Sequence, residues 1–318
     1  MFNLDPILEI KDLTTCFSVS GGRKLVACNK INLQAFQGET LGIVGESGCG
    51  KSTLARTIMQ LTPMTDGVVL FKGKDITKFK GDDSRQQRRN IQMVFQDPTT
   101  AFNPNMKIKD IICEPLLNFN IIKKSEIDAK IEELLSLVGL SVEFKNRYPH
   151  NMSGGQRQRV GLARALSLDP PVVICDEATS ALDVSVQEKI IELLVSIQKE
   201  KGTTFVFICH DLALVQAFSH RTAVMYLGNV VEIVNSSDIA NGAKHPYSKA
   251  LLKSVFYVKK NRGKKIEPLE SEIPSPLNAP SGCPFRNRCD VCMERCAMEK
   301  PKLKEIEPKH FVACHLCD

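Results

Sequence analysis

With 318 residues, 43% of them hydrophobic and 25% charged, the chain has the composition of a soluble globular protein and length for one large core plus an appendage. No apolar run approaches the roughly 18–20 residues of a membrane-spanning helix, and Met1-Phe2-Asn3-Leu4-Asp5-Pro6 lacks the basic and apolar regions of a secretory signal, so a cytoplasmic chain that meets a membrane only through a partner is expected. The net charge of +6 is mild, and the basic clusters Arg85–Arg89 and Lys259–Lys265 have no interleaved aromatics for base stacking, so no nucleic-acid partner is expected.

In chain order, Ile7–Phe17 and Val26–Phe36 have strand-like apolar content around a turn at Gly21-Gly22. Thr40–Val44 is a short apolar strand that feeds a glycine-rich loop, and Lys51–Leu61 has helical spacing that stops before Pro63. Ile91–Phe95 is a further strand-like run. From about Asp97 to Met152 the pattern turns helical: Ser125–Val138 opens with Ser-x-x-Asp and repeats apolar residues at Ile127, Ile131, Leu134, Leu135 and Val138. Strand and helix alternation resumes with Val172–Cys175, helix Val184–Lys199 and strand Thr204–Cys209. A hairpin over Val224–Val234 should turn at Gly228-Asn229, and a short helix should cover Tyr247–Val255 before a Lys-, Pro- and Ser-rich linker and a cysteine-rich tail. Such alternation predicts an α/β protein with a mostly parallel sheet and helices on both faces.

The run Gly45-Glu46-Ser47-Gly48-Cys49-Gly50-Lys51-Ser52, followed by Thr53, fits G-x-x-x-x-G-K-[ST] between a strand and a helix. Its glycines let backbone N–H groups face inward at a helix N-terminus, Lys51 supplies charge to the terminal phosphates, and Ser52 offers a hydroxyl to Mg²⁺. A nucleoside triphosphate with Mg²⁺ is the expected ligand. Asp176 and Glu177 end an apolar strand, where ligands of open α/β sheets bind. Asp176 suits Mg²⁺, and Glu177 suits a general base that polarises water. The turn Ser153-Gly154-Gly155-Gln156, after Met152, precedes a helix carrying Arg157, Arg159 and Arg164, and its N–H groups, hydroxyl and dipole suit a second phosphate contact. Taken alone, Gln96 before Asp97-Pro98 reads as a turn residue and His210 as a helix cap. Phe17 is the candidate adenine-stacking aromatic, a strand-core position being the alternative.

Six of the twelve cysteines (Cys283, Cys289, Cys292, Cys296, Cys314, Cys317) crowd the tail. Cys289-x2-Cys292 with Cys314-x2-Cys317 mimics zinc-ribbon spacing, while Cys283, Cys289, Cys296 and Cys314 are four thiolates suited to an iron–sulfur cluster. Spacing alone favours zinc.

The order of phosphate loop, SGGQ turn and Asp176-Glu177 resembles the ATP-binding subunits of ABC transporters. The tail stretches His245-Pro246-Tyr247-Ser248-Lys249-Ala250-Leu251-Leu252, Pro274 to Asn278 and Gly282-Cys283-Pro284-Phe285 resemble the dipeptide and oligopeptide importer branch, whose relatives include nickel carriers. The resemblance spans about Ile7 to Leu316 and implies a P-loop NTPase fold. Its divisions would be an ATP-binding core (1–97 and 161–240), a helical signature subdomain (98–160) and a C-terminal extension (241–318). It further implies that Gln96 contacts Mg²⁺ and the attacking water, that His210 bonds the γ-phosphate, and that Ser153–Gln156 binds the nucleotide of an opposite subunit. Ser180-Ala181-Leu182-Asp183 would cross that dimer interface. Implied partners are a second ATPase subunit (self or paralogue), two transmembrane permease subunits at the cytoplasmic face of the inner membrane, and indirectly an extracytoplasmic peptide-binding protein. The resemblance also reverses the zinc preference, implying a [4Fe-4S] cluster on Cys283, Cys289, Cys296 and Cys314, with Cys292 and Cys317 as extra thiols. Cys49 in the loop and Ala178 after Glu177 depart from the family's usual residues without removing a functional group. A soluble ABC-type ATPase acting on nucleic acid or ribosomes, with a zinc-binding tail, is the alternative; tandem cassettes, coiled-coil arms and strongly basic surfaces, which mark that class, are missing from the sequence.

Overall fold

The computed structural model describes residues 5–97, 101–180, 182–260, 277 and 280–318. Pro98, Ala181, Pro274 to Pro276, Asn278 and most of the Lys259–Lys265 cluster lie outside the described residues. The strands are β1 (Pro6–Ser18), β2 (Lys24–Phe36), β3 (Thr40–Val44), β4 (Asp66–Phe71), β5 (Lys74–Asp75), β6 (Ile91–Val94), β7 (Val172–Asp176), β8 (Thr204–Ile208), β9 (Arg221–Tyr226), β10 (Asn229–Asn235), β11 (Lys304–Glu307) and β12 (His310–Val312). The helices are α1 (Lys51–Ile58), α2 (Gly81–Asn90), α3 (Ile108–Asn118), α4 (Ile127–Leu137), α5 (Gly154–Leu166), α6 (Val184–Lys201), α7 (Leu212–Phe218), α8 (Ile239–Gly242), α9 (Pro246–Lys260) and α10 (Glu294–Met298). They fall into two compact units, one holding Gln37–Glu39 and Phe79–Val206, the other the described parts of Leu4–Phe36, Thr40–Lys78 and Phe207–Asp318.

In the second unit β2, β1, β4 and β5 form an antiparallel sheet. A separate set runs β11-β12-β10-β9-β3, in which β3 pairs in parallel with β9 and the rest are antiparallel. Every residue of β3 is buried, as a near-continuous apolar strand should be. Gly42 lies where α7 crosses it: a Cβ there would stand 2.2 Å from Val215 Cγ1, so only glycine lets the helix so close. The β9–β10 hairpin turns at Leu227-Gly228, both with positive φ (42° and 73°), one residue earlier than the sequence suggests. Such a turn needs left-handed backbone at both positions, and the Asn229 side chain holds it by donating to the Leu227 carbonyl at 2.6 Å. Helix α1 ends at Ile58 rather than Leu61 because Gln60 is left-handed and the Leu61 and Thr62 N–H groups turn back to the Arg56 carbonyl.

In the first unit β6 and β7 run parallel, Ile91 opposite Val172 and Val94 opposite Cys175. The start of β8 follows, Thr204 N–H donating to the Pro171 carbonyl at 2.9 Å. Helices α3, α4 and α5 pack together through buried Ile112, Leu116, Ile131, Leu135 and Val160. Helix α4 starts at Ile127, after a 3-10 turn over Lys124–Glu126. The cap there is the Glu126 carboxylate accepting from Lys123 N–H at 2.6 Å, so Ser125 does not serve as one.

The C-terminal segment joins the second unit through buried polar groups. Glu232 on β10 is fully buried and accepts from the N–H groups of Lys244 (2.7 Å) and His245 (3.2 Å), with His310 Nε2 2.7 Å away. His245 is 2% exposed, its Nδ1 accepts from Tyr247 N–H at 3.1 Å, and burial pushes its pKa down to about 3. Between the ordinary value near 6.5 and about 3, the unfolded chain therefore binds a proton that the folded chain refuses, and stability falls as pH drops. His245→Asn, which keeps an acceptor for Tyr247 N–H, should flatten this acid limb by up to about 1.4 kcal/mol per pH unit. Urea unfolding at a series of pH values checks it; an unchanged slope would assign the acid limb to other groups.

Candidate functional site

The phosphate loop lies in the second unit, between buried β3 and α1. Gly48 (φ 77°) and Gly50 (φ 105°) take left-handed backbone that other residues resist. A Cβ on Gly50 would stand 2.2 Å from the Ala27 carbonyl oxygen, while at Gly48 it would meet open space. The Lys51 side chain is buried along the loop, Nζ donating to the carbonyls of Gly45 (2.7 Å) and Glu46 (3.0 Å). Cys49 is buried too, and burial pushes its thiol pKa up, so it fills space as a small neutral group. Ser52 and Thr53 open α1 behind it. The loop thus has the inward backbone and terminal lysine that a polyphosphate requires.

Glu46 is the loop residue whose surroundings the sequence did not suggest. Its N–H donates to Tyr247 Oη at 2.9 Å, and its carboxylate takes a two-pronged bond from Arg288, Nη1 at 2.7 Å and Nη2 at 3.0 Å. The hydrogen bonds to Glu46 raise the guanidinium's pKa despite burial. Tyr226, Tyr247 and Phe285 pack there in tilted and edge-on pairs, with ring centroids 4.6 to 5.4 Å apart. No local pattern links residue 46 to residue 288.

His210 is exposed just after β8, and it is Asp211 that caps α7, accepting from Ala213 and Leu214 N–H. The cap reading of His210 therefore passes to its neighbour. Phe17, in β1, is 40% exposed, so its ring is not part of the strand core.

In the first unit Asp176 ends β7, 1% exposed, and Glu177 follows in left-handed backbone (φ 48°). A non-glycine residue there is uncommon and stores strain of about 1–3 kcal/mol, as functional sites often do. Gln96, just past β6, donates from Nε2 to Glu177 Oε2 at 2.8 Å. The two residues come from adjacent parallel strands, which explains how positions far apart in sequence meet. The Ser153–Gln156 turn is a capping box: Ser153 Oγ accepts from Gln156 N–H (3.3 Å) while Gln156 Oε1 accepts from Ser153 N–H (2.9 Å). Gly154 and Gly155 then present their N–H groups at the positive end of a 13-residue helix. Arg157, Arg159 and Arg164 bond the carbonyls of Met152, Gly139 and Ile111, and Arg164 also pairs with Glu114 at 2.8 Å. Asp183 caps α6 by accepting from Val186 N–H.

The cysteine tail, in the second unit, separates the two spacings. Cys283, Cys289, Cys296 and Cys314 line one small cavity with Phe285, whereas Cys292 and Cys317 do not line it. Burial raises the thiol pKa of Cys283 and Cys289, and that of Cys314 to about 11. Among the described residues, no three His, Cys, Asp or Glu side chains are placed to hold one metal ion. What the structure contributes is that these four cysteines line one cavity.

The profile described as "ABC transporter" matches residues 28–180, and that described as "Oligopeptide/dipeptide transporter, C-terminal region" matches residues 231–296. The chain is 46% identical to the oligopeptide transport ATP-binding protein AppF of Bacillus subtilis (strain 168), over 99% of this chain and 98% of that protein. It is 44% identical to the oligopeptide transport ATP-binding protein OppF of Escherichia coli (strain K12), over 97% and 95% of the two. Among solved structures it is similar to a dimeric post-hydrolysis state of the ATP-binding cassette MJ0796 bound to ADP and Pi, with a TM-score of 0.68 and 31% identity over 72% of this chain and 98% of that one. With such identity along nearly its whole length, the chain belongs to the ABC-transporter ATP-binding subunits, in the branch that carries the oligopeptide/dipeptide transporter C-terminal region.

Proposed function

We propose that this chain is the ATP-hydrolysing subunit of an importer for dipeptides or oligopeptides, working at the cytoplasmic face of the membrane with a second ATPase subunit, two permease subunits and, indirectly, an extracytoplasmic peptide-binding protein. Among the described residues no helix is long and apolar enough to cross a membrane, so the transport path belongs to partners. The observation that carries the reading is the Gln96–Glu177 hydrogen bond, which puts a carboxylate and an amide together at the ends of two neighbouring strands. That pair can hold and polarise a water molecule.

In this reading the ATP-binding core covers 1–97 and 161–240, the signature subdomain 98–160 and the extension 241–318. The loop N–H groups and Lys51 cradle the phosphates, Ser52, Asp176 and Gln96 serve Mg²⁺, Glu177 is the general base, and His210 reaches the γ-phosphate. Phe17, exposed on β1, stacks on adenine. Ser153–Gln156 offers its glycine N–H groups to the nucleotide of the opposing subunit, so each site is completed in trans. The capping box supports this role: it keeps Ser153 and Gln156 engaged with each other and leaves the turn rigid before its partner arrives.

Cys283, Cys289, Cys296 and Cys314 would hold a [4Fe-4S] cluster, which supplies a thiolate-bound cross-link between stretches of the tail that are distant in sequence. Zinc on four thiolates is the rival, and the cavity favours the set that excludes Cys292 and Cys317.

Glu177→Gln in the intact transporter should lower ATP turnover by about 10²–10⁴-fold while ATP binding is kept; undiminished turnover would remove Glu177 as the base. Anaerobically purified protein should carry iron with visible cluster absorption, both lost in Cys289→Ser. Zinc without iron in the wild-type chain would overturn the cluster.

A further inference from the structure

Two of the three polar groups of Glu46 tie the phosphate loop to the C-terminal segment, and the third holds Lys51 within the loop. The carboxylate is gripped by both terminal nitrogens of Arg288, the N–H donates to Tyr247 Oη, and the carbonyl accepts from Lys51 Nζ at 3.0 Å. The ion pair is sheltered, the Arg288 side chain being 3% exposed and that of Glu46 18%, and the guanidinium lies 5.8 Å over the Tyr226 ring. A sheltered fork of this kind fixes direction as well as charge, and losing one partner leaves the other charge buried and unmatched. Arg288 ends the 3-10 turn Arg286–Arg288 and is joined by one peptide bond to Cys289, which shares its cavity with Cys283, Cys296 and Cys314.

We propose that Arg288 is a positioning residue for the phosphate loop: by holding Glu46 it fixes the carbonyls on which Lys51 rests, so the cysteine-bearing segment sets the ATP affinity of its own chain. This rests on Gly45–Ser52 being the nucleotide site. Arg288 touches no phosphate; it acts through Glu46, and its effect belongs to nucleotide binding rather than to the hydrolytic step. Since coupling between two sites is reciprocal, nucleotide on the loop also steadies the turn that carries Arg288 and Cys289. A segment that only anchored the chain end would give neither effect.

The test is equilibrium binding of a non-hydrolysable ATP analogue with Mg²⁺ to the full chain. Arg288→Gln should weaken binding about tenfold, or about 1.4 kcal/mol, raising KM for ATP far more than it lowers kcat. Arg288→Lys keeps the charge but not the fork and should fall between the two, which preserves a readout where the Gln variant folds poorly. The Glu46→Gln/Arg288→Gln double variant should lose no more than the worse single one, because both act through one contact. Hydrogen exchange over 283–289 should slow on adding the analogue to wild type and not to Arg288→Gln. Unchanged affinity in Arg288→Gln, or additive losses in the double variant, would overturn the proposal alone and leave the pair as an anchor. A wild-type chain that bound no nucleotide would overturn the nucleotide-site reading, and this proposal with it.

Discussion

The phosphate loop can exist here only because two glycines let backbone meet backbone. Gly50 approaches the Ala27 carbonyl of β2 so closely that a single added carbon would stand 2.2 Å from its oxygen, and a carbon added to Gly228 of the neighbouring hairpin would stand 2.9 Å from the same atom. Between them run two hydrogen bonds, Gly228 N–H to the Cys49 carbonyl and Asn29 N–H to the Gly228 carbonyl, both 2.8 Å. The loop's glycines are thus required on two accounts: the left-handed backbone that an anion nest needs, and the space through which β2 and the β9–β10 turn hold that nest in place. Gly42, on β3, is needed for a different reason: an added carbon there would meet the side chains of Val215 and Ser219.

A second theme is the use of buried polar groups where the C-terminal segment joins the unit. Glu232 has no exposed surface, yet its oxygens are served by two backbone N–H groups and by His310. Such a carboxylate tolerates burial because partners converge on it from both the start of the α9 region and β12. Neutral His245 and the Tyr226–Tyr247–Phe285 cluster complete the seam, so the contact is specific in geometry as well as apolar. The Arg288–Glu46 pair extends the same seam to the phosphate loop.

In the first unit the Gln96–Glu177 contact depends on strand ends. Parallel pairing of β6 with β7 brings Gln96 to Glu177, and the left-handed turn at Glu177 swings the chain toward Ser180, whose N–H and hydroxyl both bond the Glu177 carbonyl. The conformation is held by these contacts, which keeps an otherwise unfavourable backbone populated.

Much of this was legible in the residues themselves. Gly45 to Ser52, Asp176-Glu177 and Ser153 to Gln156 are local patterns whose chemistry follows from composition and spacing, and period-two and helical repeats placed most elements within a few residues. Errors fell where a local competitor decided the outcome: a 3-10 turn over Lys124–Glu126 rather than a helix starting at Ser125, and Leu227-Gly228 rather than Gly228-Asn229 in the hairpin. Which of the six tail cysteines share one cavity could not be read from the sequence, where spacing favoured one set and the family resemblance another; in the folded tail Cys283, Cys289, Cys296 and Cys314 line it and Cys292 and Cys317 do not. The meeting of Glu46 with Arg288, 242 positions apart, had no signal at all. A carboxylate and a guanidinium carry no address in the sequence; the partner each finds is set by the register of the strands and loops that carry them.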